Sequence, residues 1–228
     1  TAGSKENVIN YAIIKNGLIG VHVDTLGASA NPTLRINNSQ IRNMSAAGIL
    51  AQGSFVEASN CVFADCGIYL AALTIGGEYV FRHCTFANIW TEGTRQTGSI
   101  LLNNYYVAQG SGQQNRDLTG AFFGNCIIYG SMEEELEFDQ TTLAQFNYKF
   151  DHCIIRTKEV LSNAVHYSEI GKNLDPLFKD AATYDYQLTS GSSAIDKGDQ
   201  SISAYVPYDL LGIVRDASPE PGAYEFKP

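Results

Sequence analysis

The chain has 228 residues, 44% of them hydrophobic and 17% charged, with a net charge of −9 and a pI near 4.8. Acidity on this scale repels phosphate backbones and anionic lipid surfaces, so nucleic acid is not an expected partner and membrane-surface binding is disfavoured. No run of 18 apolar residues occurs, so no membrane-spanning helix is expected. Thirteen Tyr and eleven Phe, among many Val, Ile and Thr, favour strands. The five Cys are odd in number, and Cys61 and Cys66 have no second close pair. Neither a disulfide framework nor a zinc site is expected. The chain opens at Thr1, and we expect it to be cut from a longer protein.

Along the chain the predicted elements repeat one phrase. It reads YAIIKN from Tyr11, NSQIRN from Asn38, NCVFAD from Asn60, HCTFAN from His83, NCIIYG from Asn125 and HCIIRT from His152. The steps are 27, 22, 23, 42 and 27 residues, and a period in the twenties signals a solenoid. The second position is always small: Ala12, Ser39, Cys61, Cys84, Cys126 and Cys153. The fourth is always large and apolar: Ile14, Ile41, Phe63, Phe86, Ile128 and Ile155. Ahead of the phrase apolar residues alternate, as in Leu34 and Ile36, Val56 and Ala58, Tyr79 and Phe81, Ala121 and Phe123, Tyr148 and Phe150. Such alternation is a strand with one buried face. It slips by one residue at the polar first position, which requires a sharp corner there. A third apolar run follows in most repeats: GVHV from Gly20, GILA from Gly48, GIYLA from Gly67, SILL from Ser99 and ELEF from Glu135. Three short strands per repeat predict an all-β solenoid, a single-stranded parallel β-helix of about six coils.

This pattern resembles the right-handed parallel β-helix of the pectate lyase-like superfamily. The resemblance implies a ladder of stacked asparagines at one corner. Asn38, Asn60 and Asn125 match it, with His83 and His152 replacing Asn. The tail is similar to one found at the end of Bacteroidetes-like surface β-helix proteins. Its pieces are Asp175 to Phe178, Tyr186 to Leu188, Ser192 to Gly198, Asp209 to Arg215 and Gly222 to Glu225. That likeness implies export to the cell surface, to the outer membrane as a lipoprotein, or to the outside of the cell. We expect coils over 1–170, as the C-terminal part of a longer β-helix, and a cap over 171–228 packed on the last coil. Leu188, Ala194, Ile195 and Leu210 would cover the exposed end, and Pro207, Pro219 and Pro221 would halt strand pairing beyond it. TAGSKEN shows no matching cap, so earlier coils or a partner are expected on that face.

The column cysteines are expected to point into the core as small hydrophobes. Cys66, outside the column, is expected to be more exposed. His83 and His152 are expected to share hydrogen bonds with ladder amides, and His22 and His166 to face outward. In this superfamily, lyases hold calcium with clustered Asp, but Asp24, Glu57, Asp65, Glu78, Asp117 and Asp139 are scattered one per coil. The Asp-Asp and Gly-His-Gly signatures of its hydrolases are absent, and no acid–base carboxylate pair stands out. MEEELEFD at Met132–Asp139 reads as a solvated acidic run. DTL at Asp24–Leu26 resembles a short O-glycosylation signal.

Asn88–Thr97 and Asn103–Thr119 read as loops flanking SILL, and loops on a rigid scaffold are where function concentrates. They carry Trp90, Arg95, Tyr105, Tyr106, Arg116 and Asp117, the candidate carbohydrate-binding residues: rings to stack on sugars and Arg to pair carboxylates. The expected function is a non-catalytic, exported surface module that binds a polysaccharide or docks onto an envelope protein, without a cofactor. The alternative is a polysaccharide lyase or glycoside hydrolase around Arg95, Arg116, Asp117, Glu134 and Glu135, and only that reading calls for calcium. A third reading is a rigid spacer.

Overall fold

The computed structural model describes residues 5–24 and 30–227. Coil 1 holds β1 (Asn7–Asn10) and β2 (Ile13–Val23), and coil 2 holds β3 (Leu34–Asn37) and β4 (Gln40–Gln52). Coil 3 divides into β5 (Phe55–Ser59), β6 (Val62–Cys66) and β7 (Tyr69–Thr74). Coil 4 has β8 (Gly77–Arg82), β9 (Thr85–Asn88) and β10 (Ile100–Asn103), then projects a hairpin of β11 (Tyr105–Ala108) and β12 (Gly112–Asn115). Coil 5 has β13 (Leu118–Gly124), β14 (Ile127–Gly130) and β15 (Leu136–Asp139). Coil 6 has β16 (Phe146–Asp151) and β17 (Ile154–Ile155). A short seventh turn, β18 (Tyr167–Ser168) and β19 (Gly171–Lys172), extends the six repeats read from the sequence. Its phrase, SEIGK, lacks the large fourth residue that marks the others.

The first sheet runs β1-β3-β5-β8-β13-β16-β18, parallel throughout. A second holds the front of β2 and β4, then β6, β9, β14, β17 and β19; a third holds the rear of β2 and β4, then β7, β10 and β15. Strand β4 belongs to both, pairing with β6 over Gln40–Met44 and with β7 over Ala47–Gln52. The fold is therefore a parallel β-helix.

The corner between the first and second sheets falls on Tyr11, Asn38, Asn60, His83, Asn125, His152 and Glu169, each with φ between 48° and 53°. This left-handed region costs Asn least among residues with a Cβ, which is why Asn recurs there. The next residue turns inward. Cys61 Sγ donates to Ser59 O at 3.2 Å and to Ile36 O of the coil before, and Cys84, Cys126 and Cys153 repeat that bridge. Ser39 does the same with Asn37 O. A small side chain with one weak donor suits the column. All five cysteines are free and buried, and burial pushes the thiols of Cys61 and Cys126 well above their ordinary value. Cys66 is also fully buried, contrary to expectation, because β6 turns it into the core.

Inside, phenylalanines stack coil on coil: Phe63 on Phe86 at 4.9 Å, Phe81 on Phe123 at 5.0 Å, Phe123 on Phe150 at 4.7 Å between ring centres. Aromatic stacking adds to the area term of burial.

The C-terminal segment departs from the expected end cap. It holds β20 (Phe178–Asp180), β21 (Asp185–Leu188) and the single turn α1 (Gln200–Ser203). It lies along the flank as a strap over the outer face of the second sheet. Tyr186 and Tyr224 pack on Val62, Ala64 and Ala87 of coils 3 and 4, with Leu210 beside them. Leu188 and Ala194 pack on Ile127 and Ile154 of coils 5 and 6. Those outward residues are apolar because they are covered from the side.

Candidate functional site

Successive residues of a strand face opposite ways, so the pairing register of the third sheet defines its outer surface. Ile49, Ala71, Ile100 and Leu136 align and are buried. The neighbouring row, His22, Leu50, Ala72, Leu101 and Glu137, is turned away from the core, with Leu50 and Leu101 half-buried and the small Ala72 between them 4% exposed. Its middle is an apolar strip and its ends are titratable. A second outward row pairs Gln52 with Thr74 and Asn103 with Asp139.

Two tyrosine–carboxylate pairs border the strip. Tyr69 Oη donates to Glu137 at 3.3 Å, and Tyr105 Oη donates to Asp139 Oδ1 at 2.7 Å. Asn103 Nδ2 donates to the other oxygen of Asp139 at 3.0 Å. Burial and the facing Glu137 carboxylate push the Tyr69 hydroxyl up to about 12, and the hydrogen bond to Asp139 raises that of Tyr105. Both phenols therefore stay protonated near neutrality and act as donors. They do not supply a phenolate base.

The six sequence candidates separate. Tyr105 joins this cluster. Tyr106, on the same hairpin, stacks under Arg116 at 5.4 Å. Asp117 accepts from Gln145 N at 2.8 Å and so anchors the next coil. Trp90 lies half-buried against Gly67, on the loop before β10 and not at the hairpin end. Arg95, contrary to expectation, is turned inward. It is 6% exposed, and its guanidinium is enclosed by Asn88 O, Ser99, Ser131 and the carboxylate of Glu135 at 2.6 Å. A group so enclosed presents nothing to a polysaccharide.

MEEELEFD is likewise not a uniform solvated run. Glu133 pairs with Lys158, and Glu134 accepts from Thr157 Oγ1 and the Lys158 amide. Glu135 holds Arg95, while Glu137 and Asp139 hold the tyrosines. Five of the six carboxylates considered for calcium are separately engaged: Asp24 with His22, Glu57 with Arg35, Asp65 with Tyr186 and Ile89 N, Asp117 with Gln145, and Asp139 with Tyr105. They do not fit one cation. Among the described residues no three His, Cys, Asp or Glu side chains gather as a metal-binding group.

Three short tripeptides of the Asn-x-Asp and Arg-x-Lys types of such hydrolases do occur: Asn115-Arg116-Asp117 at the hairpin, Arg156-Thr157-Lys158 and Asn173-Leu174-Asp175. The last two meet at one corner, where the Asn173 amide closes on the backbone of Thr157. That contact is structural. Thr25 and Leu26 of the DTL stretch lie outside the described residues.

The histidines also divide. His83 Nε2 contacts Asn125 Nδ2 at 2.9 Å and Ser203 Oγ at 2.8 Å, as a ladder member. His152 instead pairs with Asp151. His22 faces out beside Gln52, whereas His166 stacks on Tyr148 at 4.0 Å.

Comparison with solved structures finds a pectate lyase. The structure of pectate lyase Pel9A aligns over 98% of this chain at 12% identity and a TM-score of 0.45. This chain spans 60% of that chain's length. No protein-family model matches. No curated protein matches either. The parallel β-helix stands on its own strand pairing.

Tyr69, Glu137 and Asn103 went unnoticed as site residues in the sequence. The available signal was the strand register. Once GIYLA and ELEF are aligned as neighbouring coils, their outward rows fall together.

Proposed function

We propose that this β-helix is a non-catalytic, exported surface module that binds a neutral glycan on the outer face of its third sheet. One observation carries the reading: Tyr69–Glu137 and Tyr105–Asp139 border the strip formed by Leu50, Ala72 and Leu101. Rings and aliphatic carbons meet the apolar face of a pyranose, while carboxylates and amides accept and donate to its hydroxyls. The two outward rows contain no Lys or Arg. A uronate would meet Glu137 and Asp139 without a countercharge, so neutral chains are favoured over acidic ones.

Binding to immobilised neutral and acidic polysaccharides tests this. Retention on a neutral polymer, weakened about tenfold or more in Tyr69→Ala and Tyr105→Ala, is the expected result. Preference for an acidic polymer, or new chain ends accumulating with time, would overturn it. The second outcome would put the lyase or hydrolase reading first.

A further inference from the structure

Three aromatic side chains are exposed among the described residues: Tyr11 at 76%, Tyr205 at 74% and Tyr208 at 55%. All three line one groove of about 350 Å³, between the strap and the ladder corner of coils 1 to 3. Its floor is the amide ladder of coils 1 to 3. Asn60 Nδ2 donates to Asn38 Oδ1, and Asn38 Nδ2 donates to Asn10 Oδ1, each at 3.2 Å. Asn10 Nδ2 has no hydrogen-bond partner among the described residues.

The placement of Tyr11 is unusual. It occupies the ladder position of coil 1 with φ 51°, a conformation that disfavours bulky side chains, and its ring stands outside the coil. Arg82 lies 4.8 Å from the Tyr205 ring and fixes it from one side. One charged residue lines the groove, Asp209. It is 2% exposed, and its carboxylate already accepts from the amides of Leu211, Ile213 and Glu225. The groove therefore offers ring faces and planar amides but no ionic handle.

We infer that this groove is a second saccharide site, for a neutral oligosaccharide whose ring faces stack on Tyr205 and Tyr208 and whose hydroxyls meet the Asn10 and Asn38 amides. It lies at a different corner from the third-sheet site and does not depend on it.

The test is an NMR titration of the isotope-labelled protein with cellohexaose, mannohexaose and N-acetylated chitohexaose, and with hexaproline for comparison. At least one sugar is expected to move the side-chain amide signals of Asn10 and Asn38. Tyr205→Ala and Tyr208→Ala should each weaken that effect about tenfold or more, with Tyr208→Phe near wild type. Both tyrosines are exposed, so these variants leave the core intact. The inference is overturned if no sugar moves those amides, if the Tyr205→Ala, Tyr208→Ala double variant binds at full strength, or if hexaproline alone produces the shifts. Shifts at the Asn103 amide that vanish in Tyr69→Ala report the third-sheet site, so either site can fail by itself.

Discussion

Arg215 donates to the amide oxygen of Asn60 at 2.9 Å, although 155 positions separate them. Its other nitrogen meets Glu225 at 3.2 Å, and Arg215 and Glu225 are both almost fully buried. One guanidinium thus ties the end of the strap to the ladder of coil 3. Gly222 lies within the same junction at φ 95°, and a Cβ there would come within 2.8 Å of Thr85 Oγ1 and 2.9 Å of Ile127 Cδ1.

Removing one partner of a buried pair strands the other charge. Arg215→Ala should therefore cost about 3–5 kcal/mol, visible as a lower urea midpoint. Substituting an exposed residue of the same segment, Ser218→Ala, should change it by about 0.5 kcal/mol or less. Equal effects from the two would show that the junction does not hold the strap.

Arg95 and Glu135 form the second buried pair, between coils 4 and 5. Arg95→Ala or Glu135→Ala alone should each destabilise by about 3–5 kcal/mol, and the double variant by clearly less than the sum. A double-mutant cycle from denaturant unfolding gives the coupling. Additive losses would mean that the two groups act independently.

Acid acts on the strap junction in two opposed ways. His83 is held well below its ordinary 6.5, by burial first and then by the neighbouring Arg215. Below about pH 6.5 the unfolded chain takes up a proton that folded His83 refuses, so stability falls with falling pH, by at most about 1.4 kcal/mol per unit. Glu220 is pushed up to about 7, chiefly by burial and then by Glu225. Between about pH 7 and its ordinary 4.5 the folded state protonates first, so this group gains stability as pH falls. His83→Asn should therefore flatten the acid loss and Glu220→Gln should steepen it, in urea midpoints taken from pH 7.5 to 5. Parallel profiles for wild type and both variants would contradict the assignment.

The cysteine column makes a reactivity prediction. Five buried thiols should give almost no reaction with a thiol reagent in the folded protein and five equivalents in denaturant. Cys126→Ser keeps a donor towards Gly124 O and Phe81 O, as Ser39 does in coil 2, and should cost about 1–2 kcal/mol, less than Cys126→Val, which removes the donor and adds bulk. Rapid labelling of the native protein would place at least one thiol at the surface.

Much of the fold is written in local pattern. Leu34 and Ile36 or Phe81 and Phe123 show their burial by alternation, and Asn38, Asn60 and Asn125 show the corner by their tolerance of positive φ. The seventh turn escaped because Glu169 and Lys172 carry neither signal. The flank position of the strap escaped because Val62, Ala64 and Ala87 read as ordinary strand residues. Their outward apolarity has meaning only once the segment covering them is known. The site was half legible. Tyr105 belongs to a visible loop, but its link to Asp139 and the role of Tyr69 depend on coil-to-coil register across insertions of unequal length.

The strap changes how the array comes apart. A solenoid whose coils touch only their neighbours frays from its ends, one coil at a time. Here one continuous segment grips Asn60 in coil 3, Thr85 in coil 4, Asn125 in coil 5 and Ile154 in coil 6. Losing the last coil therefore means peeling away a fastener that also secures coils much nearer the other end. Arg42 of coil 2 also lies over the Tyr184 ring of the strap at 3.9 Å, and Gln40 donates to Tyr224 Oη. That binding across the stack makes melting a shared event for coils 2 to 6.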